Sequence, residues 1–127
     1  MSSEEVPPNS AASTASATLL LSRDGDRADV SVTVSGLATP PTGCHIHRGA
    51  RGVIGPIIFF IWGGPADGPF AQASANLGRT WLPVSTETRS QGLTAQNLAD
   101  LRAGNLYVNV HTQANKGGEI RGQLVRQ

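Results

Sequence analysis

Strict alternation of apolar and polar residues is the feature that most constrains the fold of this chain. In the segment ADVSVTVS, the apolar residues Ala28, Val30, Val32 and Val34 are separated by polar ones. Successive side chains of a strand point to opposite faces, so this pattern predicts a strand with one buried face, as in antiparallel sheets.

Short apolar or β-branched stretches bounded by turn residues predict further strands. They lie at residues 17–22, around His45, at 57–62 and at 75–84. One helix is predicted over residues 94–103, with Thr94 as N-cap and Gly104 as the stop. The chain is therefore predicted to be all-β with one short helix.

The composition limits the organisation and the partners of the chain. The 127 residues suit one domain, and residues 1–16, rich in Ser, Ala, Thr, Pro and Glu, predict a flexible leader before a domain at 17–127. Ten basic and nine acidic residues give a net charge of +1 without a basic cluster, which argues against nucleic acid. No apolar run approaches the ~20 residues of a membrane helix, so no membrane span is expected.

Two alternating segments near the end, residues 105–112 and 119–126, predict a hairpin closed by residues 113–118. In the first segment Leu106, Val108 and Val110 would face the core, which leaves Tyr107, Asn109 and His111 on the opposite face. If the loop closes symmetrically, His111 lies opposite Glu119 and Asn109 opposite Arg121.

The other two histidines lie one residue apart in GCHIHRG, residues 43–49. On a strand, His45 and His47 share a face, and with Ile46 in the core they point outward, as His111 does. Three imidazoles on one face suggest a metal site, and a solvated polar face is the alternative. Cys44 points the other way, so a buried thiol is favoured over a metal ligand.

Three ordered motifs identify the chain as similar to a known family. HIHRGARGVIGP from His45, LTAQNLADLRAGNLYVNVHT from Leu93 and GGEIRGQL from Gly117 closely resemble the CHRD domain, over about residues 17–125. That domain is known from chordin and from bacterial exported proteins. The resemblance implies a periplasmic or extracellular protein.

The CHRD domain is in turn similar to the copper–zinc superoxide dismutases, which implies a Greek-key β-sandwich or barrel. In those enzymes an H-x-H pair and a later V-H supply copper ligands on the outer barrel wall. His45 and His47 match the first motif and Val110-His111 the second. The resemblance thus implies copper, Cu²⁺ or Cu⁺, bound by His45, His47 and His111.

Departures from the dismutase pattern limit the metal and the activity that the resemblance implies. With three histidines and one cysteine, the chain lacks the bridging histidine, the zinc ligands and the disulfide. The expected site is copper-only, with zinc as a competitor. We expect copper carriage, sequestration or a redox role, and at most a weak superoxide dismutase activity.

Neighbours on the same face are candidates for supporting roles. Arg121 could attract a small anion, and Glu119 could orient a histidine N–H; the alternative is a surface network between the two. Asn109 and Tyr107 are weaker candidates of the same kind, since a polar outer face would also explain them.

A function of another class stays open. The domain could be a metal-free extracellular interaction or scaffold module, as its occurrence in chordin implies. A homodimer is a further possibility, with the face carrying Tyr107 or the apolar run 57–61 as its interface.

Overall fold

The computed structural model describes residues 13–37, 39–63, 75–85 and 89–125. Within these ranges the chain forms seven strands and one helix: β1 Thr14–Leu21, β2 Ala28–Ser35, β3 Pro41–Arg48, β4 Ile57–Trp62, β5 Ala75–Trp81, α1 Ala95–Arg102, β6 Leu106–Thr112 and β7 Ile120–Gln123. No helix among them is both long and apolar enough to cross a membrane.

The strands form two antiparallel sheets. One has the order β1-β2-β5 and the other the order β4-β3-β6-β7. The chain crosses from β4 to β5 and back, so that β6 returns to lie beside β3, which is a Greek-key connection. The predicted all-β sandwich is confirmed, and in the described ranges the sheets do not close into a barrel.

The core lies between the two sheets, where the alternating residues meet. Val30, Val32 and Val34 of β2 are buried, and they face Ile46 of β3 and Val108 of β6 in one apolar cluster. The same cluster contains both tryptophans, and the ring of Trp81 stacks on that of Phe59 at 4.8 Å. Burial of these side chains supplies the main driving force for bringing the sheets together.

Helix α1 begins and ends as its sequence predicts. The hydroxyl of Thr94 accepts a hydrogen bond from the backbone N–H of Asn97, and Gly104 follows with φ of +77°. The helix is too short to be stable alone and is fixed to the sheet by Arg48, which donates to Asp100 at 2.9 Å and to Asn97.

Strand bounds agree with the predictions to within a few residues. β2 and β4 have the predicted limits, whereas β5 ends at Trp81 and β7 at Gln123, three residues short in each case. β1 begins at Thr14, inside the predicted leader 1–16, and the remainder of that leader, residues 1–12, lies outside the described residues.

Truncation of the core beneath the histidines should destabilise the protein strongly. Ile46 is 0% exposed, so Ile46→Ala should lower the free energy of unfolding by about 2–5 kcal/mol through lost burial and a cavity. Leu20, which is 65% exposed, is the matched control, and Leu20→Ala should change it by less than about 0.5 kcal/mol. Urea unfolding measures both, and equal losses would contradict this packing.

Candidate metal centre

The fold brings the three histidines of the chain together. His45 and His47 lie on β3 and His111 lies on the neighbouring β6. One ring nitrogen from each lies within 4.8 Å of the others. Within the described residues this is the only group of three or more His, Cys, Asp or Glu side chains so arranged.

The pairing of β3 with β6 explains why the histidines meet. His45 lies opposite Asn109, His47 opposite Tyr107, and His111 opposite Gly43. All these side chains therefore lie on the face of the sheet that points away from the core. The same-face prediction for His45, His47 and His111 is confirmed.

This face is covered rather than open to solvent. His45 is 8% exposed and His47 only 7%, although neither points into the core. The segment 49–56 folds over His47, and the centroids of the Phe60 and His45 rings lie 4.5 Å apart with the rings steeply inclined. The outward direction is thus as predicted, but His45 and His47 are buried beneath a cover instead of exposed to solvent.

Each histidine presents one ring nitrogen that lacks a protein partner. His45 Nδ1, His47 Nε2 and His111 Nε2 are buried without a hydrogen bond to the described residues. Unpaired buried nitrogens are costly, and three of them side by side fit a metal ion that accepts three lone pairs. The donor set present therefore fits a metal such as copper.

The remaining ring nitrogens of two histidines are held by backbone carbonyls. Nδ1 of His47 lies 2.8 Å from the oxygen of Gly55, and Nδ1 of His111 lies 2.8 Å from that of Lys116. A carbonyl only accepts, so each Nδ1 carries the hydrogen and each Nε2 keeps a free lone pair. Such bonds are typical of the groups that orient metal-ligating histidines.

His45 is positioned by a glycine. A Cβ atom added at Gly43 would lie 2.8 Å from both Cε1 and Nε2 of the His45 ring. The ring therefore occupies the space that any other residue at position 43 would fill with its side chain.

The segment 49–56 is fixed by Tyr107 and Arg121. The Tyr107 ring stacks on that of His47 at 4.8 Å, and its hydroxyl accepts a hydrogen bond from the N–H of Gly55 at 3.0 Å. Arg121 lies 3.4 Å above the Tyr107 ring and donates to the carbonyls of Val53 and Ala50 at 2.7 and 2.8 Å. These contacts hold the Gly55 carbonyl against His47.

Glu119 acts on the second loop. It is fully buried and accepts hydrogen bonds from Thr112 Oγ1 at 2.9 Å and from Asn115 Nδ2 at 3.2 Å. These bonds shape the turn that carries Lys116, whose carbonyl orients His111. These contacts connect Glu119 to His111 through the loop 113–118.

Several expectations for this face need correction. The predicted register of Asn109 opposite Arg121 is confirmed, but neither Glu119 nor Arg121 lies on the surface, so a surface network between them is wrong. Arg121 donates from its guanidinium to the carbonyls of Val53 and Ala50, and its attraction of a small anion stays a prediction. Tyr107 is buried too, because Arg121 and segment 49–56 cover it.

The apolar run 57–61, the second surface suggested for a homodimer, packs largely inside the chain. Of the run 57–61, Ile58, Phe59 and Ile61 are buried in the core cluster. Only Ile57, at its start, is exposed. Three of the five side chains of this run therefore pack within the chain, and the homodimer stays a prediction.

Burial keeps the imidazoles neutral. Desolvation lowers the pKa of His45 to about 3, with the neighbouring charges of His111, His47 and Arg89 acting in the same direction. Burial also lowers the pKa of His47 and of His111. The Gly55 carbonyl and the Asn109 side chain oppose this effect at His47, and the Lys116 carbonyl opposes it at His111. Neutral imidazole is the form that binds a metal.

Cys44 is excluded from the site by its direction. Its thiol is buried in the core, and this burial raises its pKa to about 12. The predicted structural thiol is confirmed.

The groups that position the histidines could not be predicted from the sequence. Gly43 and the carbonyls of Gly55 and Lys116 carry no side-chain signal, since every residue has a carbonyl. The contact of Phe60 with His45 could not be predicted either, because it depends on the irregular register between β3 and β4.

Acid should destabilise the metal-free protein through His45. The pKa of His45 in the folded protein, about 3, lies below the ordinary value of 6.5. Between these two values the imidazole is protonated in the unfolded chain and neutral in the folded one, so the free energy of unfolding decreases as the pH is lowered. The slope is about 1.4 kcal/mol per pH unit for one such histidine. Urea unfolding between pH 7 and 4.5 should show a shallower slope for His45→Asn, and identical slopes would contradict the burial of a neutral imidazole.

Comparison with known proteins agrees with the motifs noted in the sequence. No curated protein and no solved structure is significantly similar to the chain. The family model of the CHRD domain matches residues 1–124, nearly the whole chain. The chain therefore belongs to the CHRD domain family.

Proposed function

We propose that the protein binds one copper ion through His45 Nδ1, His47 Nε2 and His111 Nε2. The observation that carries this proposal is the convergence of three buried imidazole nitrogens, none with a hydrogen-bond partner among the described residues. Copper would convert three unfavourable buried lone pairs into three ligand bonds.

The ligand chemistry favours copper among the common metals. The group contains imidazoles alone, without thiolate or carboxylate, and imidazole suits both oxidation states of copper. The thiol of Cys44 is buried on the opposite face. Divalent copper also binds such sites more tightly than zinc, which makes zinc a competitor and not the preferred metal.

The proposed setting is the periplasm or the extracellular space, since CHRD domains occur in extracellular proteins. When bound, copper would supply one-electron redox chemistry or simply be carried or sequestered. Gly43 and the carbonyls of Gly55 and Lys116 already fix the three histidines in the metal-free protein. Such preorganisation favours a high affinity for the ion. We therefore propose carriage, sequestration or a redox role, with dismutation weak at most.

Titration of metal-free protein with Cu(II) tests the proposal. We expect one equivalent to bind and to give an electron paramagnetic resonance spectrum with nitrogen couplings, lost in His45→Ala and in His111→Ala. Lys116→Ala is the matched control, because Lys116 contributes its backbone carbonyl and its side chain is exposed. No stoichiometric binding, or binding that survives both histidine replacements, would refute the site.

Gly43→Ala should weaken copper binding without removing a ligand. The added Cβ meets the His45 ring at 2.8 Å and displaces it from its place beside His111. We expect about a tenfold or greater loss of Cu(II) affinity, the range seen when groups that orient ligands are changed. Competition with a chelator measures it, and Gly117→Ala, where a Cβ meets nothing within 4 Å, is the control.

A second candidate is a protein-interaction module, favoured by the tip of segment 49–56. Val53 is 49% exposed and Ile54 69%, and the segment is held rigid by Arg121. Aliphatic side chains on a rigid tip suit contact with another protein, a second copy included. If this is the function, partner binding is lost in Ile54→Asp and kept in His45→Ala; copper dependence of the partner would contradict a metal-free module.

A further inference from the structure

Asn109 lies at the centre of the histidine cluster. On β3 it faces His45 directly, and on its own strand it precedes His111 by two residues. His47 is its diagonal neighbour, one step further along the same face. Every proposed ligand is therefore next to Asn109 on the face that carries the site.

The side-chain oxygen of Asn109 is buried without a partner. The residue is 4% exposed, and Oδ1 makes no hydrogen bond to the described residues. A buried amide oxygen left unpaired lowers stability, and an aliphatic residue of similar size would avoid that cost. An unpaired oxygen at this position therefore requires an explanation.

The neighbouring neutral imidazoles leave this oxygen unpaired. His47 and His111 carry their hydrogens on Nδ1, so each Nε2 is itself an acceptor, and the Asn109 side chain stabilises only the charged form of His47, whose pKa it raises. Arg121, the cross-strand partner on β7, directs its guanidinium to the carbonyls of Val53 and Ala50. The unpaired Oδ1 thus lies on the same buried face as three unpaired imidazole nitrogens, and a cation bound by the lone pairs of all four satisfies them at once.

We propose that Oδ1 of Asn109 is a fourth ligand of the bound copper ion, an inference that rests on the copper site proposed above. An amide oxygen is a hard ligand, whereas Cu(I) prefers soft ones. Asn109 therefore stabilises the divalent state relative to the monovalent state. Its role is to set which oxidation state the three histidines hold more tightly.

The test compares Cu(II) and Cu(I) affinities, each measured by chelator competition, in the intact chain and in Asn109→Leu. We expect Cu(II) affinity to fall about tenfold or more and Cu(I) affinity to change less than about threefold. Asn109→Asp keeps an oxygen at this place and should retain Cu(II) binding well above the level of Asn109→Leu. Asn105→Leu, at an exposed asparagine before β6, is the matched control and should change neither affinity.

A readout without metal separates ligation from a structural role. Because Oδ1 is unpaired, metal-free Asn109→Leu should be at least as stable to urea as the unaltered chain. A less stable or unfolded Asn109→Leu, equal losses for Cu(II) and Cu(I), or an unchanged Cu(II) affinity would each overturn the inference while leaving the three-histidine site intact. Failure of the unaltered chain to bind either ion would instead refute the site itself.

Discussion

The pairing of β3 with β6 is the constraint on which the rest of the molecule depends. It lies at the centre of the larger sheet and places His45 opposite Asn109 and Ile46 opposite Val108. A slip of one residue would exchange the two faces and move the histidines into the core. Burial of Ile46 and Val108 therefore selects the register that assembles the histidine cluster, so the core and the site are two consequences of one ladder.

The cover over the cluster turns a strand face into a defined ligand set. Imidazoles open to water would exchange hydrogen-bond partners and protons freely, whereas here burial lowers the pKa of all three. The carbonyls of Gly55 and Lys116 then decide which nitrogen carries the hydrogen. The cost is a group of buried polar atoms without partners, which distinguishes the face from ordinary packing and supports the proposed metal site.

Side-chain alternation, short apolar runs and the two ends of the helix were sufficient to predict the strands, the helix and the common face of the three histidines. It could not predict that this face is buried, because burial depends on segment 49–56 folding back across β6. For the same reason Arg121 and Glu119 were assigned to the surface, the usual place for charged residues. In the interior, loop carbonyls accept hydrogen bonds from Arg121, and the side chains of Thr112 and Asn115 donate to Glu119. Contacts between a side chain and a distant carbonyl leave no periodic signal, since only the folded loop creates them.

The groups that stabilise the fold are different from the groups that orient the histidines. The sandwich core lies on the opposite face of β3 and β6 and contains none of the histidines. The groups that orient His47 and His111 belong instead to loops at two ends of the sheet, 49–56 and 113–118. A metal held by both histidines would therefore couple these two loops to the central strands, while the apolar core is complete without it. In this respect the domain differs from small zinc modules, in which the metal supplies most of the folding free energy.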